Sequence, residues 1–204
     1  MEEFQVYWRV EHPKAVLQLP GLRKYVQNHV LDSQYANSRQ PFADGVAETW
    51  WDDREAMKAH RGTDALAKLQ IDELEFMDPD SRSTIVAEEV VITNGAIPVG
   101  GGAKVITSLR RRDDLTLAAA QEYWRSTHAA VASQLPGLAR YVQNHARPGA
   151  VEYDVMGLPM TWFESMEQLR ANAASPELAA TRADEPNFLH PDLPFVLVRE
   201  HHII

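Results

Sequence analysis

The 204-residue chain contains no cysteine. That absence removes disulfides, thiolate metal sites and a cysteine nucleophile together. Basic charge is scarce: 20 Lys and Arg face 29 Asp and Glu, a formal net charge of −9. An acidic surface repels phosphate backbones and anionic headgroups, so nucleic acid and membrane surfaces are not expected as partners. No apolar run approaches the roughly 18 residues of a membrane-spanning helix. The opening Met1-Glu2-Glu3-Phe4-Gln5 lacks both the basic patch and the apolar core of a secretory signal. These absences predict a soluble, cytoplasmic protein. A phosphate-cradling loop is missing too, because Gly100-Gly101-Gly102 precedes a strand pattern and not a helix. So is a serine-centred nucleophile elbow. What is plentiful is apolar content, 45% of the chain. That is enough for one large or two small packed domains and excludes a disordered chain.

Self-similarity organises the rest. Residues 7–29, YWRVEHPKAVLQLPGLRKYVQNH, return as residues 123–145, YWRSTHAAVASQLPGLARYVQNH, with fourteen of 23 positions identical. Further on, Thr49-Trp50-Trp51 matches Thr161-Trp162-Phe163, Asp72-Glu73 matches Asp184-Glu185, and Phe76 matches Phe188. Near the ends Glu89 matches Glu200. The chain therefore reads as a duplicated domain: residues 1–93, a Gly/Pro-rich linker over 94–102, and residues 103–204.

Periodicity in the second copy gives the element order. Strands are expected over Lys104–Arg112, Leu138–Arg147, Val151–Phe163 and Phe195–Ile204. One helix should follow Thr116 and run to about Leu135, stopped by Pro136-Gly137, and a shorter one should span Met166–Ala174. The order β-α-β-β-α-β is the ferredoxin-like split unit. Its sheet has one helix-covered face and one face that needs a partner. The fold class is thus α+β, two such repeats forming an intrachain barrel sheet face to sheet face. The first copy opens inside its first helix, so its first strand is missing, and an ordered segment or a neighbouring chain is expected in that slot.

At this point Tyr7-Trp8-Arg9…His12…Leu19-Pro20-Gly21-Leu22…Tyr25-Val26-Gln27, its twin from Tyr123 to Gln143, and Asp44–Trp50 resemble the EthD-like family. The Glu-rich stretches Glu88-Glu89 and Glu200-His201-His202 add to the likeness. The resemblance implies a dimeric α+β barrel, built here within one chain. It also implies small-molecule degradation, or cofactor-free dehydration, cyclisation or isomerisation in aromatic pathways. More distant barrel relatives bind haem.

Candidate chemistry falls on the strands. Alternation puts Tyr25, Gln27 and His29 on one face, and Tyr141, Gln143 and His145 on the matching face of the second copy. Val26 and Leu22 suit the helix side, which turns these polar rows toward the barrel interior, as a cavity wall or as a hydrogen-bonded seam. In the next strand Gly45, Ala47 and Thr49 form a small face suited to a helix, so Glu48 and Trp50 look inward. Their twins are Met160 and Trp162, so Glu48 has no twin carboxylate. His29, Glu48 and Tyr25 are the expected catalytic residues, for proton movement and oxygen polarisation. Gln27, Trp50, Tyr141, Gln143, His145, Met160 and Trp162 are expected to bind the substrate. His12 and His128 lie on the apolar helix stripe and read as core histidines. No metal spacing is found, since His201 and His202 point to opposite faces, and no cofactor is expected. The leading function is a cofactor-independent lyase, dehydratase, cyclase or isomerase on a small, partly apolar, carbonyl-bearing or aromatic molecule. The alternatives are a non-catalytic ligand-binding or accessory protein, and a haem protein with His29 or His145 as axial ligand. A homodimer of the two-repeat chain stays open.

Overall fold

The computed structural model describes residues 2–38, 40–98, 100, 102–149 and 155–204, with only the backbone for Asn37 and Ser38. Alternating and helical patterns give seven strands and eight α-helical segments among them. The strands are β1 (Leu22–Val30), β2 (Gly45–Trp51), β3 (Ala87–Asn94), β4 (Ala103–Thr107), β5 (Leu138–Ala146), β6 (Gly157–Phe163) and β7 (Phe195–His202). The helices are α1 (Glu2–Val10), α2 (Pro13–Val16), α3 (Arg54–Lys58), α4 (Asp64–Glu73), α5 (Leu117–Tyr123), α6 (Ala129–Ala132), α7 (Met166–Ala171) and α8 (Pro176–Asp184).

Two compact units emerge, and they cut across the sequence repeats. The first holds residues 1–29, 44–82 and 200–204; the second holds 30–43 and 83–199. In the second unit the strands run in the order β7-β4-β6-β5-β3, and each neighbouring pair is antiparallel. Its β4-α-β5-β6-α-β7 portion is the expected ferredoxin-like unit. The added edge strand β3 comes from the first repeat, with Glu88 opposite His145 and Val91 opposite Val142. In the first unit β2 pairs with β1, and β1 in turn bonds the chain's end through Tyr25 N to Ile204 O, 3.2 Å, and Ile203 N to Tyr25 O, 2.9 Å. β3 of the first repeat thus joins the second unit, and the chain's last residues, 200–204, join the first, while the start of β7 stays paired with β4. The first repeat enters on α1, without a leading strand. Among the described residues β2 has one neighbour, whereas its twin β6 has β4 on its second edge.

The details move several expected boundaries. β4 ends at Thr107, followed by isolated bridges Leu109–Gly157 and Arg111–Leu189 in place of a strand to Arg112. β6 begins at Gly157; the expected start at Val151 lies outside the described residues. The helix after Thr116 is capped as expected, its hydroxyl accepting from Ala119 N–H. It is not uniform, because Trp124–His128 forms a π turn before α6. The wide turn leaves the Trp124 carbonyl open to a second donor, and that opening positions the network described below.

Helices cover one face of each unit's sheet. In the first unit Val16, Leu19, Tyr25 and Leu69 form the buried cluster, joined by Ala65, Leu66 and Ile203. In the second, Leu109, Ala120, Trp124, Met156, Phe188 and Leu189 form one cluster, and Ala129, Ala132 and Tyr141 another. No helix is long and apolar enough to cross a membrane.

Candidate functional site on the sheet face opposite the helices

Antiparallel register decides which side chains share a face. His29 stands opposite Gly45, Gln27 opposite Ala47 and Tyr25 opposite Thr49, while Asn28, Val26 and Lys24 stand opposite Val46, Glu48 and Trp50. The first set is the helix-covered set: a Cβ built on Gly45 would meet the Trp8 ring at 2.1 Å. The expectation that Tyr25, Gln27 and His29 turn away from the helices is therefore corrected. They lie beneath α1, on the opposite face from Glu48, and the structure does not bring His29 and Glu48 together. The same correction holds for Tyr141, Gln143 and His145, since a Cβ on Gly157 would meet the Trp124 ring at 2.5 Å.

The physical reason is that the helix layer satisfies these polar groups completely enough to bury them. Gln27 Nε2 donates to the Trp8 carbonyl at 2.6 Å and to the Tyr25 hydroxyl oxygen at 2.7 Å. The His12 N–H, which an α-helix would aim at the Trp8 carbonyl, bonds Tyr7 O at 3.2 Å instead, and Pro13 has no N–H, so the Trp8 carbonyl is open to the glutamine. A carbonyl only accepts, which fixes the amide and turns Gln27 Oε1 to His29 Nε2, 3.0 Å away. His29 stacks on Trp8 with centroids 4.3 Å apart, and its Nδ1 meets Gln5 Oε1. The second copy repeats the wiring. Gln143 Nε2 donates to Trp124 O (3.0 Å) and Tyr141 Oη (2.9 Å), Trp124 Nε1 donates to Tyr141 Oη (2.9 Å), and His145 Nε2 meets Gln143 Oε1 (2.8 Å). Burial pushes both phenols, Tyr25 and Tyr141, up to about 12, against the donors that favour phenolate. Burial also lowers His145, with Arg125 acting the same way and Glu88 and Glu122 opposing. Both nitrogens of His29 are engaged, which is the arrangement of a packed histidine and not of an axial haem ligand.

The helix histidines are core residues, as their stripe implies. His12 Nδ1 lies 2.6 Å from Asp72 Oδ2, whose other oxygen accepts from Tyr7 at 3.0 Å. His128, Asp184 and Tyr123 repeat this at 2.8 and 2.7 Å. Burial works against the Asp184 carboxylate, but hydrogen bonds from Tyr123, His128 and Asn187 outweigh it and lower its proton affinity.

The opposite face carries the groups that differ between the copies. In the first unit Glu48 and Trp50 occupy the face away from the helices, as their alternation implies, and both are half-buried. Lys24 Nζ sits 4.2 Å above the Trp50 ring. Asn28, fully buried, donates through Nδ2 to the Val46 carbonyl at 2.9 Å and to Glu48 Oε1 at 2.8 Å. Its Oδ1 is buried without a hydrogen-bond partner. On β7, His201 packs edge-on against His29, which puts Glu200 and His202 on the Glu48 face. The Glu200 side chain is 5% exposed, with His202 Nε2 3.4 Å away.

In the second unit Met160 replaces Glu48 opposite Val142 and Ile106, beside buried Val196 and Val198, and the buried Lys104 shares this face. Trp162 is retained, with Lys104 Nζ 4.4 Å over its ring and the Arg140 guanidinium at 5.9 Å. Asn144 keeps only the backbone bond, Nδ2 to Leu158 O at 3.1 Å.

Lys24, Asn28 and Glu200 were not singled out from sequence. For Asn28 the available signal is its parity with Val26, one strand residue apart from the polar row. Among the described residues no cluster of His, Asp and Glu could hold a metal ion. A shallow groove of about 260 Å³ along α4, lined by Gln70, Glu73, Leu74, Met77, Pro79 and Arg82, contains none of the expected site residues.

Solved structures share this fold. An anthrone oxidase-like protein aligns with a TM-score of 0.63 at 12% identity, over 99% of this chain and 88% of that one. A proposed monooxygenase from Fusobacterium nucleatum subsp. nucleatum aligns with a TM-score of 0.58 at 8% identity, over 98% and 85%. An EthD family protein from Bacillus halodurans C-125 covers 47% of this chain with 94% of its own, at 20% identity and a TM-score of 0.40. No curated protein matches. The family model for the EthD domain matches twice, over residues 1–80 and 112–192. The chain belongs to the EthD-domain family, as a tandem pair.

Proposed function

We propose that the chain is an enzyme that moves a proton on a small, partly apolar, carbonyl-bearing aromatic molecule, at the Lys24–Asn28–Glu48–Trp50 face of the first unit. The observation that carries this reading is the Asn28–Glu48 pair beside a cation-capped indole, a pair the second copy loses because Met160 stands in place of Glu48. Trp50 offers a ring to stack on, and Lys24 places a positive charge above that ring. Glu48 takes a proton from carbon next to the carbonyl. The C–H electron pair moves onto the oxygen as an enolate, which the Lys24 ammonium stabilises, and protonation elsewhere completes an isomerisation, or loss of a leaving group completes an elimination. Family membership and the anthrone oxidase-like fold neighbour support a small-molecule substrate of this kind. Tyr25, Gln27 and His29, first expected as catalytic and binding groups, serve here as the support that fixes β1. Tyr141, Gln143 and His145 do the same for β5. Met160 and Trp162 line the matching face of the second unit.

Anthrone, a tricyclic ketone with an acidic CH₂, is a suitable probe. Its CH₂ exchange with deuterium is followed by proton NMR with and without the protein. Wild-type protein should accelerate exchange, and E48Q should lose about two to four orders of magnitude of that acceleration. Saturable quenching of tryptophan fluorescence by anthrone without any acceleration would instead mark a binding protein, and the catalytic reading would be abandoned.

A further inference from the structure

β1 of the first unit and β5 of the second are flanked alike, and the flanks differ at two positions on the face away from the helices. In the second unit Val142 stands opposite Met160 on one side and Val91 on the other. In the first unit its twin Val26 stands opposite Glu48. The other neighbour of Val26 is His202, the sequence twin of Val91, two residues beyond the matched pair Glu89 and Glu200. Ile203 N bonds Tyr25 O at 2.9 Å and Tyr25 N bonds Ile204 O at 3.2 Å, so two residues face Tyr25. The register slip between Val91 and Thr93 puts the same bulge against Tyr141, with Glu89 opposite Asn144. Matching registers set His202 beside Val26 and Glu200 beside Asn28.

Glu48 and His202 thus flank Val26 where Met160 and Val91 flank Val142. The asparagine and the glutamate of this strip, Asn28 and Glu200, return in the second copy as Asn144 and Glu89. Those two belong to the framework. The two groups able to carry a proton are instead replaced together, both by apolar side chains. His202 is also placed for such work: its ring is 48% exposed, and its Nε2 lies 3.4 Å from Oε2 of Glu200, which is 5% exposed. The buried carboxylate holds one edge of the imidazole while the rest of the ring reaches solvent. Lys24 and Trp50 lie one row further along the same face.

From this placement we infer that His202 is a further catalytic residue, the second proton carrier of the face, working across Val26 from Glu48. The inference rests on the proposed function and narrows it to keto–enol isomerisation. Glu48 takes the proton from carbon, and the C–H electron pair becomes the C=C bond of the enolate. The N–H bond of the His202 imidazolium then breaks, and its proton forms an O–H bond on the oxygen that Lys24 stabilises. One proton leaves the substrate and one enters, so the product is its enol and no other reactant is consumed. Glu48 returns its proton to water, and His202 regains one from water through its exposed edge. Backbones two strand spacings apart, about 10 Å, suit two groups that act on different atoms of one ring system. Glu200 is the positioning residue for the imidazole.

The test runs the reaction backwards from anthranol, the enol of anthrone, whose fluorescence is lost on ketonisation. In this direction His202 takes the O–H proton and Glu48 delivers one to carbon. H202A should ketonise anthranol about a hundredfold more slowly than wild type, and added imidazole should restore about tenfold or more. E48Q should be slow as well, and imidazole should not restore it. H202Q keeps the size and polarity of the side chain, guards against a folding failure of H202A, and should be as slow. V91A should ketonise at the wild-type rate. Wild-type rates in both His202 variants, with E48Q still slow, overturn the inference and leave the proposed function standing. A slow H202A that imidazole cannot restore overturns it too, because the ring would then serve as a structural contact. The proposed function fails separately, and this inference with it, if E48Q ketonises anthranol as fast as wild type.

Discussion

The two copies agree beneath their helices and disagree on the other side of the sheet. Trp8, Tyr25, Gln27 and His29 reproduce Trp124, Tyr141, Gln143 and His145 almost bond for bond, and Tyr7–Asp72–His12 reproduces Tyr123–Asp184–His128. Identical polar wiring in two places, one on the sheet face behind Glu48 and one on the face behind Met160, is the mark of a structural device. Divergence is what locates the chemistry. Lys24 over Trp50 and Arg140 near Trp162 keep a cation by an indole in both copies, but only the first keeps a carboxylate held by an asparagine. A duplicated chain thus contains its own comparison: what both halves retain is what folding needs.

The strongest way to break that comparison is at Glu48. E48Q conserves shape and removes the proton acceptor, so the anthrone exchange rate should drop by about two to four orders of magnitude, equivalent to about 3–5 kcal/mol of barrier. M160L should leave it within a small factor. If M160L proves the more damaging, the working face belongs to the second unit.

The next test asks whether the two networks are equivalent. Tyr25 and Tyr141 are both pushed up to about 12, above the ordinary phenol value of 10.0. A folded value above the unfolded one means that each neutral phenol stabilises fully below pH 10 and loses that contribution as pH rises toward 12. Two units correspond to about 3 kcal/mol for each tyrosine. Urea midpoints measured between pH 9 and 11.5 should fall steeply in wild type, and by a shallower slope in both Y25F and Y141F. A flattened slope in only one variant would show that the copies are wired alike but loaded differently.

A smaller effect is expected from forcing the second copy to resemble the first. M160E places a carboxyl at a site that is 2% exposed among Val142, Ile106 and Val196. The variant should lose at least about 2 kcal/mol in chemical denaturation, since Asn144 can contribute one donor but no counter-charge. M160L, which conserves volume, should lose less than about 1.5 kcal/mol. A stable M160E would mean that this face already has room and solvent for a charge.

Much of this was readable before any coordinates. The repeat, the β-α-β-β-α-β order, the N-cap at Thr116, the core role of His12 and the placement of Glu48 on the face away from the helices follow from spacing alone. The facing of Tyr25, Gln27 and His29 did not, because three polar side chains under a helix look costly until the Trp8 carbonyl is recognised as an open acceptor. Strand register held the missing clue. In an antiparallel pair, giving Gly45, Ala47 and Thr49 to the helix gives Tyr25, Gln27 and His29 to it as well. Asn28 was passed over because its twin is identical, and only contact with Glu48 distinguishes the two. The π turn at Trp124 and the lending of β3 to the second unit depend on tertiary partners, which no local pattern encodes.

The smallest expected effect concerns a difference between the two networks at their glutamine and second histidine nitrogen. Gln5 turns its Oε1 to His29 and donates to the Asp44 carbonyl at 3.3 Å, whereas its twin Gln121 donates to the carbonyls of Ala146 and Met156, at 2.8 and 2.9 Å. His145 is left with Gln143 at one nitrogen and the Trp124 ring, 4.5 Å away, along its face. Around it stand Arg125 and Glu122 from the helix above and Glu88 from β3, with Arg147 3.5 Å from Glu88. Burial and Arg125 lower His145 from its ordinary value of 6.5, and the two glutamates only partly compensate. A folded value below the unfolded one means that the unfolded chain binds the proton more readily. Neutral His145 therefore contributes fully above about pH 6.5, and that contribution fades as pH falls through the folded value. Melting temperatures of wild type and H145Q, taken from pH 8 to 5, should converge on the acid side, because glutamine keeps a polar contact to Gln143 and cannot titrate. E88Q removes a compensating charge and should widen the wild-type decline. Parallel curves for wild type and H145Q would show that His145 binds its proton equally well in the folded and unfolded chains, and the asymmetry between the two networks would then be one of geometry alone.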